Sequence, residues 1–404
     1  MDTNPLFSAA LGLTSPWAVV DTRFDAAAKR LDLVLDFPAG SRFPCAECGS
    51  ANCPVHDTSE KTWRHMDFFQ HQAFLTARVP RTRCDRCGTK QVHVPWARPG
   101  SGFTLLMEAL ILELVRNMPV RPLAQLMGVD DKTIWRVVAH YVEEAIKRID
   151  ASTVKMIGVD ETAARKHHDY VTLFFDLEAR RLLHVADGKD HQTIADFSAF
   201  LEEHEGSPES VREISCDFSQ AFQKGIREHF PSAGVTFDRF HIAKILGTAV
   251  DLVRRSEWRT DKAIKGTRYL VLKNPERLTD EQSGLLKEAL TRNANLAEAY
   301  RLKETFRDFY RQADSQAGKG FLKAWVSMAL ASKLKPMAKA ARAIRDHWKG
   351  ILRWHRTKLN NGIMEGLNSL IQAAKRKARG YRTNRNFRLM AYLIAGKLDL
   401  KFGA

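Results

Sequence analysis

The sequence of 404 residues lacks any apolar run that approaches the roughly 18 uncharged residues of a membrane-spanning helix. Its N-terminus lacks the basic segment that opens a secretory signal. It is not depleted in hydrophobic residues, which make up 44% of the chain beside 27% charged residues, so disordered and collagen-like chains are excluded. We therefore expect a soluble, intracellular protein with the length of about two to three domains.

Acidic residues are scarce at the C-terminal end of the chain. Residues 335–404 contain 17 Lys and Arg but only three acids, a net charge of +14, whereas the first 334 residues carry only +2. A basic block of this density is typical of proteins that bind polyanions, and it favours nucleic acid as the partner. The alternative is a solvated helix face, but such faces usually mix both signs of charge.

The few cysteines are informative by their spacing. Two CxxC pairs, each followed by a glycine, are formed by Cys45, Cys48, Cys84 and Cys87. Two such pairs in an intracellular protein predict a structural zinc site, because four thiolates complete the tetrahedron that the ion prefers. Cys53 or His56 could replace one of these ligands, and two redox or incidental pairs are the remaining alternative.

Residues 119–142 carry a helix-turn-helix pattern. Leu123, Leu126 and Met127 are predicted to lie on one face of the first helix. Gly128 allows the turn, and Asp130 or Asp131 caps a second helix. The start of that helix would present the side chains that enter a major groove, namely Lys132, Thr133 and Arg136. The alternative is an ordinary pair of antiparallel helices.

From residue 153 the apolar pattern becomes strand-like. Three strands joined by short turns are predicted at 154–160, 170–177 and 182–186, and further strands at 212–217 and 235–238 alternate with helices. This order predicts an α/β fold with a mixed sheet of ribonuclease-H type. Between about residues 242 and 355 the pattern is helical throughout, which predicts a long helical insertion.

Three acidic residues stand out by position. Asp160 ends the first apolar strand and Asp217 ends the fourth, so both are expected at the crevice beyond the carboxyl ends of the strands. Glu365 lies on a predicted helix whose apolar stripe is Ile363, Leu367, Leu370, Ile371 and Ala374. The opposite face of that helix would present Glu365, Asn368, Ser369, Gln372, Lys375, Arg376 and Arg379.

Three converging carboxylates could hold two Mg²⁺ or Mn²⁺ ions, which activate an attacking oxygen and stabilise the leaving one. The basic residues that follow on the same helix are then expected to track a phosphate backbone, and the predicted DNA contacts there are Lys375, Arg376, Lys377 and Arg379. For each isolated aspartate, a turn or cap role is the alternative.

Several segments carry a resemblance to a known family. They are GVDET (158–162), ISCDFSQAF (214–222), FPSAGVTFDRFHIAK (230–244), NGIMEGLNSLIQAAKRKARGYRTNRNF (361–387) and, upstream, VPRTRCDRCGTKQVHVPWARPGSGFT (79–104). In this order they resemble the ISL3 family of DDE transposases of bacterial insertion sequences. The resemblance implies a ribonuclease-H-like core with catalytic Asp160, Asp217 and Glu365. Because DRFH matches the DxxH pattern of related transposases, it also implies that Asp238 and His241 lie near the active site.

The resulting domain prediction is a zinc-ribbon module at 1–100, a helix-turn-helix domain at 101–150, a catalytic core at 151–243 and 356–404, and a helical insertion at 244–355. The predicted function is that of a DNA transposase that binds terminal inverted repeats as a homo-oligomer, cleaves there, and joins the freed ends to target DNA. The resemblance further implies a cytoplasmic, nucleoid-associated bacterial protein. The alternatives are a domesticated, non-catalytic DNA-binding regulator and a nuclease without strand transfer.

Overall fold

The computed structural model describes residues 3–165, 169–359 and 362–402. The chain forms two compact units, the first comprising residues 1–145 and 399–404 and the second residues 146–398. Within the described residues, no helix combines the length and apolar content that crossing a bilayer requires.

The first unit is built on a six-stranded sheet that follows a short helix, α1 (Asn4–Ala10). Its strands are β1 (Ala18–Asp25), β2 (Arg30–Asp36), β3 (Arg42–Phe43), β4 (Cys53–Arg64), β5 (Gln72–Cys84) and β6 (Gly88–Gln91). The order is β1-β2-β5-β4-β3, with β6 paired to β5, and the β2–β5 pair is parallel. Alternate residues of β5, including Leu75 and Val79, are buried, so one face of the sheet packs against a core that contains Trp17, Trp63 and Trp96.

Three helices complete the first unit, namely α2 (Leu105–Asn117), α3 (Val120–Met127) and α4 (Asp131–Ile146). The predicted helix-turn-helix is α3 and α4, and Gly128 ends α3 with a left-handed φ of 66° that suits glycine. The prediction that Leu126 shares one helix face with Leu123 and Met127 was wrong, because Leu126 is 69% exposed whereas the other two are buried. The inward face of this two-turn helix is filled by Val120, Leu123, Ala124 and Met127.

A buried carboxylate joins these helices. The Glu108 carboxylate of α2 is fully buried and accepts hydrogen bonds from Arg98 (3.0 Å), Ser101 (2.7 Å) and the Tyr141 hydroxyl of α4 (2.8 Å). The same bond and burial raise the pKa of Tyr141 above its ordinary value. An acid at this site is tolerable only because each oxygen has a partner.

The second unit has a five-stranded mixed sheet of β7 (Met156–Ala163), β8 (Tyr170–Asp176), β9 (Arg181–Asp187), β10 (Glu213–Cys216) and β11 (Gly234–Phe237). The order is β11-β10-β7-β8-β9, with β7–β8–β9 antiparallel and β7–β10–β11 parallel. Helices flank this sheet, namely α5 (Gln192–Glu203), α6 (Gln220–His229), α14 (Gly362–Lys377) and α15 (Asn384–Ala395). Phe197 of α5 stacks on Phe174 of β8 at 4.2 Å, whereas α14 packs against the side of β7 that carries Gly158.

The described residues between β11 and α14 are helical and contain no strand. The helices are α7 (Arg239–Glu257), α8 (Arg268–Leu272), α9 (Asp280–Arg292), α10 (Ala294–Phe306), α11 (Ser315–Ala331), α12 (Lys335–Asp346) and α13 (Trp348–Thr357). The predicted boundaries at 243/244 and 355/356 fall inside α7 and α13. The second boundary divides α13 although that helix packs on the sheet, where Gly350 lies against Phe237 and Arg353 donates to Glu213 at 2.6 Å.

We predict that Glu108→Ala destabilises the first unit by about 3–5 kcal/mol, because it leaves the guanidinium of Arg98 and the Tyr141 hydroxyl without their buried partner. Hydrogen exchange of amides in α2 and α4 measures this local loss of stability. The matched control is Glu113→Ala on the same helix, whose carboxylate is solvent-exposed and 3.5 Å from Arg116. Equal protection in both variants would contradict the prediction.

Candidate active site and zinc centre

The four predicted zinc ligands converge in the first unit. The sulfur atoms of Cys45, Cys48, Cys84 and Cys87 all lie within 4.8 Å of one another. The glycine after each pair, Gly49 or Gly88, has a φ of +71°, the left-handed conformation that each CxxC turn requires. Backbone N–H groups of Arg86 and Cys87 donate to the Cys84 sulfur and lower the pKa of its thiol. Hydrogen bonds from Ser50 also lower the pKa of the Cys48 thiol, so four converging thiols, two of them biased toward the thiolate, fit a tetrahedral Zn²⁺ site.

The alternative ligands do not join this group. The Cys53 thiol lies beside the cluster but donates to the carbonyl of Ser50 at 3.4 Å, and burial raises its pKa. The imidazole of His56 is half-exposed and lies 3.9 Å from the carboxylate of Asp57. Within the described residues, the cluster of four cysteines is therefore the zinc centre that the structure supports.

The helix-turn-helix presents its predicted contact residues at the start of α4. Lys132 and Arg136 are exposed and Thr133 is half-buried. The Arg136 guanidinium donates to the Thr133 hydroxyl at 3.0 Å, so the two side chains lie together on the outer face of the helix.

In the second unit, the predicted catalytic residues share one cleft. A cavity of about 470 Å³ is lined by side chains that include Asp160, Asp217, Asp238, His241 and Glu365. Asp217 directly follows β10, and Asp238 follows β11 and caps α7 through a 2.9 Å bond from the Phe240 amide. These residues meet because parallel strands end at the same edge of a sheet. Asp160, by contrast, does not end its strand, since β7 continues to Ala163.

The helix that carries Glu365 lies along β7 in a regular register. Met364 packs on Gly158, where an added Cβ would stand 1.9 Å from the methionine sulfur. One helical turn on, the Asn368 amide donates to Asp160 Oδ2 at 2.8 Å, and a further turn on, Gln372 donates to the Thr162 hydroxyl at 2.7 Å. Four helical residues rise about 6 Å and two strand residues about 6.6 Å, so the two elements stay in step.

The predicted apolar stripe of α14 was partly wrong. Leu370 is 54% exposed, whereas Met364 and Ile371 are buried. The side of the helix that faces β7 is largely polar, because Asn368 and Gln372 bond to strand side chains there. Lys375 also turns inward, and its ammonium donates to the carbonyl of Ala163.

Asn368 and Gln372 were assigned from the sequence only to a polar helix face, and their contacts with β7 were missed. The sequence did contain a signal for these contacts: Met364, Asn368 and Gln372 are spaced by four residues, and Gly158, which leaves room for a helix, lies two residues before Asp160. Lys244, which also lines the cleft, carried no comparable signal.

Burial and charge shape the cleft. Desolvation raises the pKa values of Asp160 and Glu161, and the hydrogen bond from His241 Nδ1 to Asp238 Oδ2 (3.0 Å) raises the pKa of the histidine. His241 Nε2 stands 3.8 Å from the carboxylate of Asp217.

The three candidate acids have no Lys or Arg within 4.0 Å in the described part of the chain. Carboxylates that gather in a partly buried cleft without such partners need other cations, and oxygen ligands of this kind suit Mg²⁺ or Mn²⁺. Among the described residues, the carboxylate oxygens of these three acids do not all lie within 4.8 Å of one another. The three carboxylates are therefore spaced along the cleft.

Comparisons with known protein families match three segments of the chain. The model of a DDE transposase family, described as "Transposase", matches residues 157–391. A model of the helix-turn-helix domain of transposase family ISL3 matches residues 92–142, and one of the zinc-finger of transposase IS204/IS1001/IS1096/IS1165 matches residues 41–87.

Curated relatives match over most of their length. The chain is 28% identical to the transposase for insertion sequence element IS1557 of Mycobacterium tuberculosis, covering 97% of this chain and 95% of the relative. It is 26% identical to the transposase for insertion sequence element IS1001 of Bordetella parapertussis, covering 87% and 88% of the two chains.

We predict that Cys84→Ser lowers the zinc content of the purified protein from about one ion per chain to well below half and unfolds the loops around the cluster, because a closed site needs all four thiolates. Metal analysis and hydrogen exchange of residues 42–56 measure both effects. Cys53→Ser is the matched control and should keep the zinc. Full zinc in the Cys84→Ser protein would remove that residue from the ligand set.

Proposed function

The chain belongs to the ISL3 family of DDE transposases, and from this premise we propose that Asp160, Asp217 and Glu365 form its catalytic centre. A DDE-type DNA transposase cleaves a phosphodiester by attack of water, which releases a 3′-hydroxyl, and then joins that hydroxyl to a second phosphodiester with release of another DNA hydroxyl. The observation that carries the proposal is that three carboxylates, from β7, the end of β10 and α14, line one cleft and have no Lys or Arg within 4.0 Å among the described residues.

Hydrogen bonds from neighbouring residues orient two of these acids. Asn368 fixes one oxygen of Asp160, and the Glu161 amide donates to the other at 2.9 Å. The Ser219 amide donates to Asp217 at 2.8 Å, so the carboxylate is aimed before substrate arrives. When bound by Asp160, Asp217 and Glu365, two Mg²⁺ or Mn²⁺ ions would supply activation of the attacking oxygen and neutralisation of the leaving one.

We assign the sheet of the second unit to the ribonuclease-H type. Its order from one edge is β9-β8-β7-β10-β11. The strands β7, β8 and β9 are antiparallel, β10 and β11 run parallel to β7, and helices pack on the sheet. The helical residues 239–357 would then be the insertion between the second aspartate and the glutamate. His241, held by Asp238, is placed to bond an oxygen of the phosphate or of Asp217.

We further propose that the helix-turn-helix reads the terminal inverted repeats of the element and that a homo-oligomer pairs two ends. Lys132, Thr133 and Arg136 would make the base and phosphate contacts. Exposed Arg376 on α14 and Arg379 just after it are the best candidates for phosphate contacts, because the Lys375 ammonium already donates to the carbonyl of Ala163.

We predict that Glu365→Gln keeps gel shifts on element-end DNA near normal and leaves no detectable cleavage or joining in Mg²⁺ or Mn²⁺, because the change removes charge without changing size. Glu281→Gln, an exposed acid on α9, is the matched control. Robust cleavage by Glu365→Gln would point to Glu161 or Asp238 as the third acid. If Glu365→Gln also loses DNA binding, Glu365 has a structural role. If the wild-type protein cuts the DNA ends but does not join them, it is a nuclease without strand transfer.

We predict that Arg136→Ala relaxes sequence preference on element ends at a cost of about 1–3 kcal/mol, the value of a bidentate base contact. Competition binding against scrambled duplexes measures the preference. Arg116→Ala on α2 is the control for loss of one exposed guanidinium. Equal weakening on all duplexes would make Arg136 a phosphate contact only.

A further inference from the structure

A second and larger cavity adjoins the acid cleft in the same unit. Its volume is about 1230 Å³, and it lies among α7, α8, α10 and α13. Four residues line both cavities, namely Asp238, Phe240, Lys244 and Glu365. The volume exceeds the roughly 300–1,000 Å³ of a pocket for one small molecule, so the space suits a longer ligand that continues into the acid cleft.

The lining of this cavity is strongly cationic. It contains nine Lys and Arg against three acids. In the described part of the chain, the cations with no carboxylate within 4.0 Å are Arg239, Lys244, Arg255, Arg277 and Lys358. A concave surface that holds several unpaired cations concentrates a polyanion there.

Aromatic rings are interleaved with these cations. The Arg239 guanidinium lies 5.4 Å from the ring centre of Tyr310, and the Lys358 ammonium lies 4.3 Å from that of Trp354. The Tyr310 and Trp354 rings meet edge to face at 4.9 Å, and Phe240 is 59% exposed. The Tyr310 hydroxyl is buried and has no hydrogen-bond partner in the described residues, although its ring lines the cavity.

We propose that this cavity binds an unpaired segment of the DNA strand that adjoins the phosphate in the acid cleft. Cations that follow a backbone beside exposed rings are the features by which proteins hold single strands, because each base offers a face for stacking. In a duplex the base faces are stacked on one another, so a ring in a concave site cannot reach them. The inference rests on the proposed function, since it places the segment relative to Asp238 and Glu365.

The first test measures binding of the full-length protein, without added Mg²⁺, to a fluorescent single strand and to the same strand in a blunt duplex. The double variant Arg255→Ala/Arg277→Ala removes two exposed cations of the cavity. The matched control Lys319→Ala/Lys323→Ala removes two exposed cations of α11 that do not line it. On the single strand we expect the log–log salt slope to fall by about 1.4 in the cavity variant only, at about 0.7 per phosphate contact.

The second test addresses stacking. Phe240→Leu keeps an apolar side chain but removes the ring, and we expect about tenfold weaker binding of the single strand with duplex binding unchanged. Equal losses on both DNAs would overturn the inference in favour of a duplex backbone site. Single-strand binding equal to the wild type in both cavity variants would also overturn it.

The two tests separate this inference from the proposed function. Glu365→Gln should bind the single strand at least as tightly as the wild type, because it removes a negative charge that lines the cavity. If the cavity variants bind normally while Glu365→Gln loses cleavage, only the inference fails. If Glu365→Gln cleaves normally while the cavity variants lose single-strand binding, only the assignment of the acids fails.

Discussion

The packing of α14 on β7 is the contact on which the acid cleft depends. It is possible only because Gly158 has no side chain, so Met364 occupies the space where a Cβ would stand. Because four helical residues and two strand residues rise by nearly equal distances, this one contact also aligns Asn368 with Asp160 and Gln372 with Thr162. A larger residue at position 158 would displace the helix and carry Glu365 with it.

The chain must also bring α14 back to the sheet after a long excursion. Glu365 follows Asp217 by 148 residues, most of them helical. The return is made by α13, where Gly350 packs against Phe237 and Arg353 forms an ion pair with Glu213. Since these contacts are made to β10 and β11, the strands that directly precede Asp217 and Asp238, the helical segment is held against the sheet close to both acids.

Local patterns in the sequence predicted the strands, the helix-turn-helix and each of the two CxxC pairs, because each of these depends on neighbours in the chain. Predictions of helix faces failed where a polar surface was buried by specific partners. Leu370 is exposed while Asn368 packs inward, because Asp160 and Thr162 offer acceptor oxygens to which no apolar side chain could donate a hydrogen bond. The basic cavity was not predictable, since its residues come from α7, α8, α10, α13 and the segments between them, which only the tertiary fold brings together.

The two adjoining cavities have opposite charge, and this contrast sets the conditions for chemistry. The cationic cavity attracts phosphates, whereas the acid cleft repels them as long as its carboxylates lack counterions. Arg376 and Lys244 line the cleft, yet neither lies within 4.0 Å of Asp160, Asp217 or Glu365 among the described residues. If the cavity binds a DNA strand as proposed, that strand would meet a repulsive barrier at the acids, which bound divalent cations would lower. DNA capture would then come before catalysis, and cleavage would be confined to complexes in which the charge of the cleft has been neutralised.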